Sequence, residues 1–222
     1  MPHSSPPAQP RESSAPRELV VATANLGKLR EFRALLAGLP FKLTGLAELG
    51  LPSPDETAST FVANAELKAR HAARLSGSAA VADDSGIEVD ALDGAPGIYS
   101  ARYAGLDADD AANNAKLIRA LDGLPPDQRG ARYRCALVFL EADDAQPLVA
   151  EASWEGVLLE APLGAGGFGY DPYFWLPELG RTAAELSPEE KNRLSHRGKA
   201  MQTLRDLLRR RFGEQPTPGA ER

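Results

Sequence analysis

Apolar side chains along the chain fall into two rhythms, short unbroken runs and longer stretches that return every third or fourth residue, the patterns of strands and helices. Leu19 to Ala22 is such a run. It leads at once into Thr23-Ala24-Asn25-Leu26-Gly27-Lys28, after which Leu29, Phe32, Leu35, Leu36 and Leu39 share one helical face. The chain is thus predicted to open as strand, tight turn and helix. A second helix, rich in Ala, is predicted from about Thr60 to Leu75, with Phe61, Val62, Ala65, Ala69 and Ala72 toward a core. Ala79-Ala80-Val81-Ala82 reads as a short buried strand that ends in Asp83-Asp84-Ser85-Gly86. Asp109 to Leu121 reads as a third helix, stopped near Gly123 and the Pro125-Pro126 pair. Arg132 to Glu141 and Leu148 to Leu159 are β-rich and predict an antiparallel hairpin turning at Asp143 and Asp144. Ser187-Pro188-Glu189-Glu190 combines a cap Ser, Pro at the first helical position and Glu three residues after the cap, a strong start signal for the last helix.

Alternating strands and helices with a central hairpin predict an α/β domain around a mixed sheet, with its ligand at strand ends. With 222 residues, 43% of them apolar, the chain can bury a substantial core as one large domain or two small lobes. Residues 1–17 carry five Pro and four Ser and are expected to form a disordered tail; residues 213–222 are expected to form a second, leaving 18–212 as the domain. The formal charge of −6 argues against a protein that coats nucleic acid. No apolar stretch approaches membrane-spanning length, so no membrane partner is expected. The single Cys135 lies in an apolar run, which suits a reducing, cytoplasmic setting.

Three segments carry candidate chemistry. The Thr23 to Lys28 turn meets a helix N-terminus, where free N–H groups and the helix dipole attract anions; Asn25 can donate, Gly27 lets backbone come close and Lys28 adds charge. Alone, it reads equally as a cap with a solvated lysine. Asp83 and Asp84 cannot both enter a core without large desolvation costs. In extended backbone they face opposite ways, so at most one is the principal metal ligand, with Mg²⁺ the ion that suits one or two carboxylates plus phosphate oxygens. Glu56 is a candidate second carboxylate and also reads as a surface or cap residue. Gly164 to Gly169 matches G-x-G-x-x-G literally, yet the aromatic, Pro172-containing segment that follows cannot open the helix a dinucleotide fingerprint needs. The run instead approaches Phe168, Tyr170 and Asp171, where an aromatic ring can stack on a base. Lys191 and Arg197 are about 240° apart on a straight helix; a break at Ser195, acting as a second N-cap, would let both serve one site together with His196.

Asp83 to Asp90, Gly94 to Tyr103, Gly167 to Pro172 and Ser195-His196-Arg197 together resemble the inosine triphosphate pyrophosphatase family, enzymes that hydrolyse non-canonical purine nucleoside triphosphates such as ITP, dITP and XTP. The similarity runs from Leu19 to about Leu208. It implies that Thr23, Ala24, Asn25, Leu26, Gly27 and Lys28 hold the triphosphate, and that Asp84 is the catalytic acidic residue and a Mg²⁺ ligand; Glu56 remains the candidate second metal ligand read from the residues alone. Ser85 would touch substrate, and Phe168, Gly169, Tyr170, Asp171, Lys191, His196 and Arg197 would form the base side of the pocket. It also implies a two-lobed fold around a long twisted mixed sheet with a cleft, and a homodimer. Ala24 stands where many members have Gly. Two other functions stay open from the residues themselves: a pyrophosphatase for other modified nucleotides, and a nucleotide-binding regulator without catalysis.

Overall fold

A computed structural model describes residues 16–23, 26–142 and 146–213. It consists of a seven-stranded mixed sheet in the order β2-β1-β3-β4-β5-β6-β7. The strands are β1 (Arg17–Val21), β2 (Phe41–Gly45), β3 (Ala79–Val89), β4 (Gly130–Leu140), β5 (Leu148–Leu158), β6 (Phe174–Leu176) and β7 (Arg181–Thr182). The helices are α1 (Leu26–Leu35), α2 (Phe61–Ser76), α3 (Asp110–Ala120), α4 (Pro188–Leu194) and α5 (His196–Phe212). β1 runs parallel to both β2 and β3, while β3 to β7 pair antiparallel. β1 begins at Arg17, the last residue of the expected tail. The rest of that tail before Pro16, Ala24, Asn25, the hairpin turn at Asp143 and Asp144, and residues 214–222 lie outside the described residues.

Side-chain alternation along the strands builds a core on each face. Leu19, Val21, Val81, Cys135, Leu137 and Phe139 face α1 and α5, where Leu29, Phe32, Met201 and Leu204 meet them. Val20, Ala22, Ala80, Ala82, Ala136 and Val138 face α2, whose Ala65, Ala69 and Ala72 allow a close approach. A third cluster, with Ile87, Leu117, Tyr133, Trp154 and Phe174, packs α3 and β6 against the far ends of the long strands. Caps fix the helix starts: Ala63 N–H donates to Thr60 Oγ1, Ala112 N–H to Asp109 Oδ1, and Ser187 and Glu190 complete the reciprocal capping box that the sequence predicts. Among the described residues no helix is long and apolar enough to cross a membrane.

One expectation needs correction. The strand read as ending at Ala82 continues to Val89, so Asp83 and Asp84 lie within β3 and not in a turn after it. Two adjacent carboxylates looked incompatible with a buried strand because their partners come from α1, α2 and α5, far away in sequence.

Candidate active site

β1 connects through α1 to β2 on one side and the chain returns through α2 to β3 on the other, with α1 and α2 on opposite faces. The strand order therefore reverses at β1, and ligands of open α/β sheets bind in the crevice beyond the strand C-termini at such a point. β1 pairs with β3 only as far as Val81, and Ala22 N–H closes the ladder on Val81 C=O at 2.7 Å. Past this point the β1-side edge of β3 has no strand partner among the described residues, and Asp83 to Ser85 lie on that edge next to the turn entering α1.

Alternation sends the two aspartates to opposite faces. Asp83 is 2% exposed and pairs with Lys28 Nζ at 2.8 Å and with Arg197 Nη2 at 3.4 Å. Burial would raise this carboxyl, but Lys28, Arg197 and Lys68 outweigh it and hold Asp83 well below the usual carboxylate range. Asp84 turns toward α2. It accepts from Asn64 Nδ2 at 3.2 Å and from Lys68 Nζ at 2.9 Å, and Lys68 also donates to Glu56 at 2.9 Å. Here burial wins, and the Asp84 carboxyl stands above its ordinary value despite Lys68. The Lys68 ammonium is raised: its burial opposes this, and Asp83, Asp84 and Glu56 overcome the opposition. Arg102 holds the other oxygen of Glu56 at 2.9 Å.

A cavity of about 310 Å³ opens on the α1/α5 face between the first and third core clusters. Lys28, Ser85, Phe168, Gly169, Tyr170, Asp171, Lys191, His196 and Arg197, all candidate site residues, line it together. Ser195 makes this possible. Its N–H closes α4 on Lys191 C=O at 2.9 Å while its hydroxyl accepts from Gly198 N–H at 3.1 Å and opens α5. Gly198 lies so close to the Asn192 carbonyl that any Cβ would collide with it. The resulting break aims Lys191 and Arg197 at the same ring: both charged groups stand over Phe168, at 4.6 and 5.7 Å from its centroid. Arg197 also donates to Ser85 Oγ at 3.0 Å, and Lys191 pairs with Asp171. The His196 ring is stacked on Tyr133 at 4.7 Å, and burial first, then Arg197 and Lys191, push it well below its ordinary value, so it is neutral. Its Nδ1 has no hydrogen-bond partner among the described residues.

Asp84 and Glu56 are not part of the pocket wall; they cluster on the α2 face, across the backbone of β3. Thr23 lies just beyond β1, and Leu26 begins α1. Lys68 and Asn64 were missed from sequence. Their signal was two polar residues at i, i+4 on the otherwise Ala-rich buried face of α2. Asp110 and Asn114, which bond Gly169, and Tyr133, which donates to Asp171, were missed as well.

These features define an α/β protein with a cation-lined, aromatic-roofed pocket at the switch point of its sheet, suited to a planar anionic ligand. The chain belongs to the Ham1 family, whose profile matches residues 19–207. It is 54% identical over 194 residues to the dITP/XTP pyrophosphatase of Pectobacterium atrosepticum, covering 87% of this chain and 98% of that protein. The dITP/XTP pyrophosphatase of Shigella flexneri is 53% identical with the same coverage. The solved structure of a HAM1 protein from Coxiella burnetii superposes with a TM-score of 0.83 at 44% identity, covering 87% of this chain and 99% of that one.

Proposed function

We propose that the chain hydrolyses non-canonical purine nucleoside triphosphates, dITP, ITP and XTP, to the monophosphate and pyrophosphate, removing them from the nucleotide pool. The observation that carries this reading is the convergence of Lys191, His196 and Arg197 beneath Phe168, in a chain 53% identical to a dITP/XTP pyrophosphatase. A purine ring stacks on Phe168, and its 6-keto oxygen accepts from the cationic donors. The 6-amino group of adenine offers no acceptor there and leaves those donors unpaired.

The phosphates extend from the pocket over the open edge of β3 toward the turn Thr23 to Lys28, where the α1 N-terminus and Lys28 attract them. Asp84 Oδ1 and Oδ2 each accept one bond, from Lys68 and Asn64, and the remaining lone pairs are free to orient an attacking water and take its proton. The raised carboxyl makes Asp84 a stronger base than an ordinary aspartate. Lys68 stays protonated and faces the same space.

Asp84 and Glu56 fit Mg²⁺: their hard oxygens converge on one point of positive charge, the Lys68 ammonium, and Mg²⁺ takes one or two carboxylates with the rest from water and phosphate. When bound, the ion supplies charge neutralisation to the phosphates. The reading includes a two-lobed cleft, supported by the separate core clusters flanking the pocket, a homodimer, supported by the family resemblance, and a cytoplasmic setting, supported by the buried, free Cys135.

Hydrolysis of ITP in ¹⁸O water is the test. Attack at the α-phosphorus places label in IMP with release of pyrophosphate. Label in orthophosphate with accumulation of IDP refutes the reading.

A further inference from the structure

Phe168 is 52% exposed, and its ring is met only by the cationic ends of Lys191 and Arg197 among the ring contacts of the described residues. A half-exposed ring without a packed bed takes its position from its backbone. That backbone is held on two sides. On the inside, Phe168 N–H donates to Asp171 Oδ2 at 2.9 Å, Tyr133 Oη donates to Asp171 Oδ1 at 3.2 Å, and Tyr170 Oη donates to the Ser100 carbonyl at 2.7 Å. On the outside α3 reaches Gly169. Gly169 N–H donates to Asp110 Oδ2 at 2.6 Å, and the Gly169 carbonyl accepts from Asn114 Nδ2 at 2.8 Å. Asp110 and Asn114 are one turn apart on the same helix face, so their spacing matches the donor and acceptor of a single residue. Asn114 is itself buried and tied to the Asp110 carbonyl at 2.8 Å. Gly169 has φ +61°, a left-handed conformation that turns its polar groups toward α3 and away from Phe168.

We infer that Asp110 and Asn114 are positioning residues: they clamp both polar groups of Gly169 and thereby set where the Phe168 ring stands over the base pocket. The inference rests on reading that pocket as a purine site and adds to it a control on base affinity; Asp110 stands at the pocket wall, whereas Asn114 holds the loop from behind it. The bonds of both residues go to Gly169, beside Phe168, so the clamp is expected to act on the base half of the substrate.

Steady-state hydrolysis of ITP by the full chain tests this with Asp110→Ala, Asp110→Asn, Asn114→Leu, Phe168→Ala and the double variant Phe168→Ala/Asn114→Leu. Loss of one clamping bond is expected to raise KM for ITP roughly tenfold while kcat changes by less than about threefold. Asp110→Asn keeps an amide oxygen as acceptor and is expected to recover most of the affinity. Inhibition by inorganic tripolyphosphate, which has no base, is expected to stay unchanged. On the Phe168→Ala background Asn114→Leu is expected to add nothing, because its effect passes through the missing ring. Additive losses in the double variant, or tripolyphosphate and ITP weakening by the same factor, overturn the clamp. Asp110 is exposed, so Asp110→Ala carries the test if Asn114→Leu fails to fold. A wild-type protein that turns over no ITP refutes the proposed function and this inference with it; an active wild type with unaffected variants overturns the clamp alone.

Discussion

Replacing Asp83 by Asn should cost stability, whereas the same change at neighbouring Asp84 should cost activity. The Asn side chain keeps the shape but removes a charge that is 2% exposed and faces Lys28 at 2.8 Å and Arg197 at 3.4 Å. Arg197 is itself buried, and its remaining carboxylate partner, Glu31, is no closer than 3.4 Å. Removing one partner of a buried pair leaves the other uncompensated, at a cost of about 3–5 kcal/mol. The amide oxygen still accepts a hydrogen bond, which brings the expected loss to about 3 kcal/mol. For a domain of this size that is a fall in Tm of roughly 6–12 °C. The pH dependence fixes the cause. The folded Asp83 carboxyl lies below its ordinary value of 3.8, so its contribution is fully present above that value and is lost as pH falls through the lower, folded one. The gap between wild type and Asp83→Asn should therefore narrow on acidification below about pH 4. Asp84→Asn should behave in the opposite sense. Burial already penalises the Asp84 charge, so stability should change by less than about 1 kcal/mol. ITP turnover should nevertheless fall by roughly 10² or more if this carboxylate positions the water. Urea denaturation across pH, with kcat measured on the same preparations, decides the matter. A loss below about 1 kcal/mol for Asp83→Asn, or a gap that does not shrink in acid, would refute the ion-pair argument.

Three further outcomes are expected. His196 is held below its ordinary value of 6.5, so the folded chain resists a proton that the unfolded chain accepts. Its contribution is present above 6.5 and lost as pH falls below it, by up to about 1.4 kcal/mol per pH unit, and His196→Gln should flatten that part of the stability profile in calorimetry. Arg129 is 2% exposed and donates to the carbonyls of Leu158, Leu121 and Leu159. Arg129→Met should cost about 3–5 kcal/mol in urea unfolding, and a cost below about 1 kcal/mol contradicts the role given to those bonds. Arg197→Ala should lower the ITP to ATP ratio of kcat/KM by the equivalent of roughly 1–3 kcal/mol; equal losses for both nucleotides would assign Arg197 to phosphate or to the fold.

What sequence made legible was local. Ser187 and Ser195 announce helix starts because a cap is a contact among residues three apart, and the break at Ser195 followed from the same chemistry. The rejection of Gly164 to Gly169 as a dinucleotide loop rested on Pro172, and those residues are indeed not helical. The length of β3 was hidden for the converse reason. Whether Asp83 and Asp84 can lie inside a sheet depends on cations 55, 114 and 16 residues away, and no short window contains them. Most of the named residues come together at one pocket, but the separation of Asp84 and Glu56 from them by β3 follows only from strand pairing. The clamp on Gly169 was likewise out of reach, since its two halves lie 59 and 55 residues from the loop they hold.

The joint between α4 and α5 bears on how this protein could be redesigned. Because Ser195 ends one helix and begins the next, and Gly198 admits no side chain against Asn192, the two helices cannot be re-angled independently. A library aimed at a different nucleobase gains little from these two positions, where a substitution would swing Lys191 and Arg197 out of alignment at once. Diversity placed at 168, 191 and 197, with 195 and 198 held constant, would vary the chemistry presented to the base while conserving the direction from which it is presented.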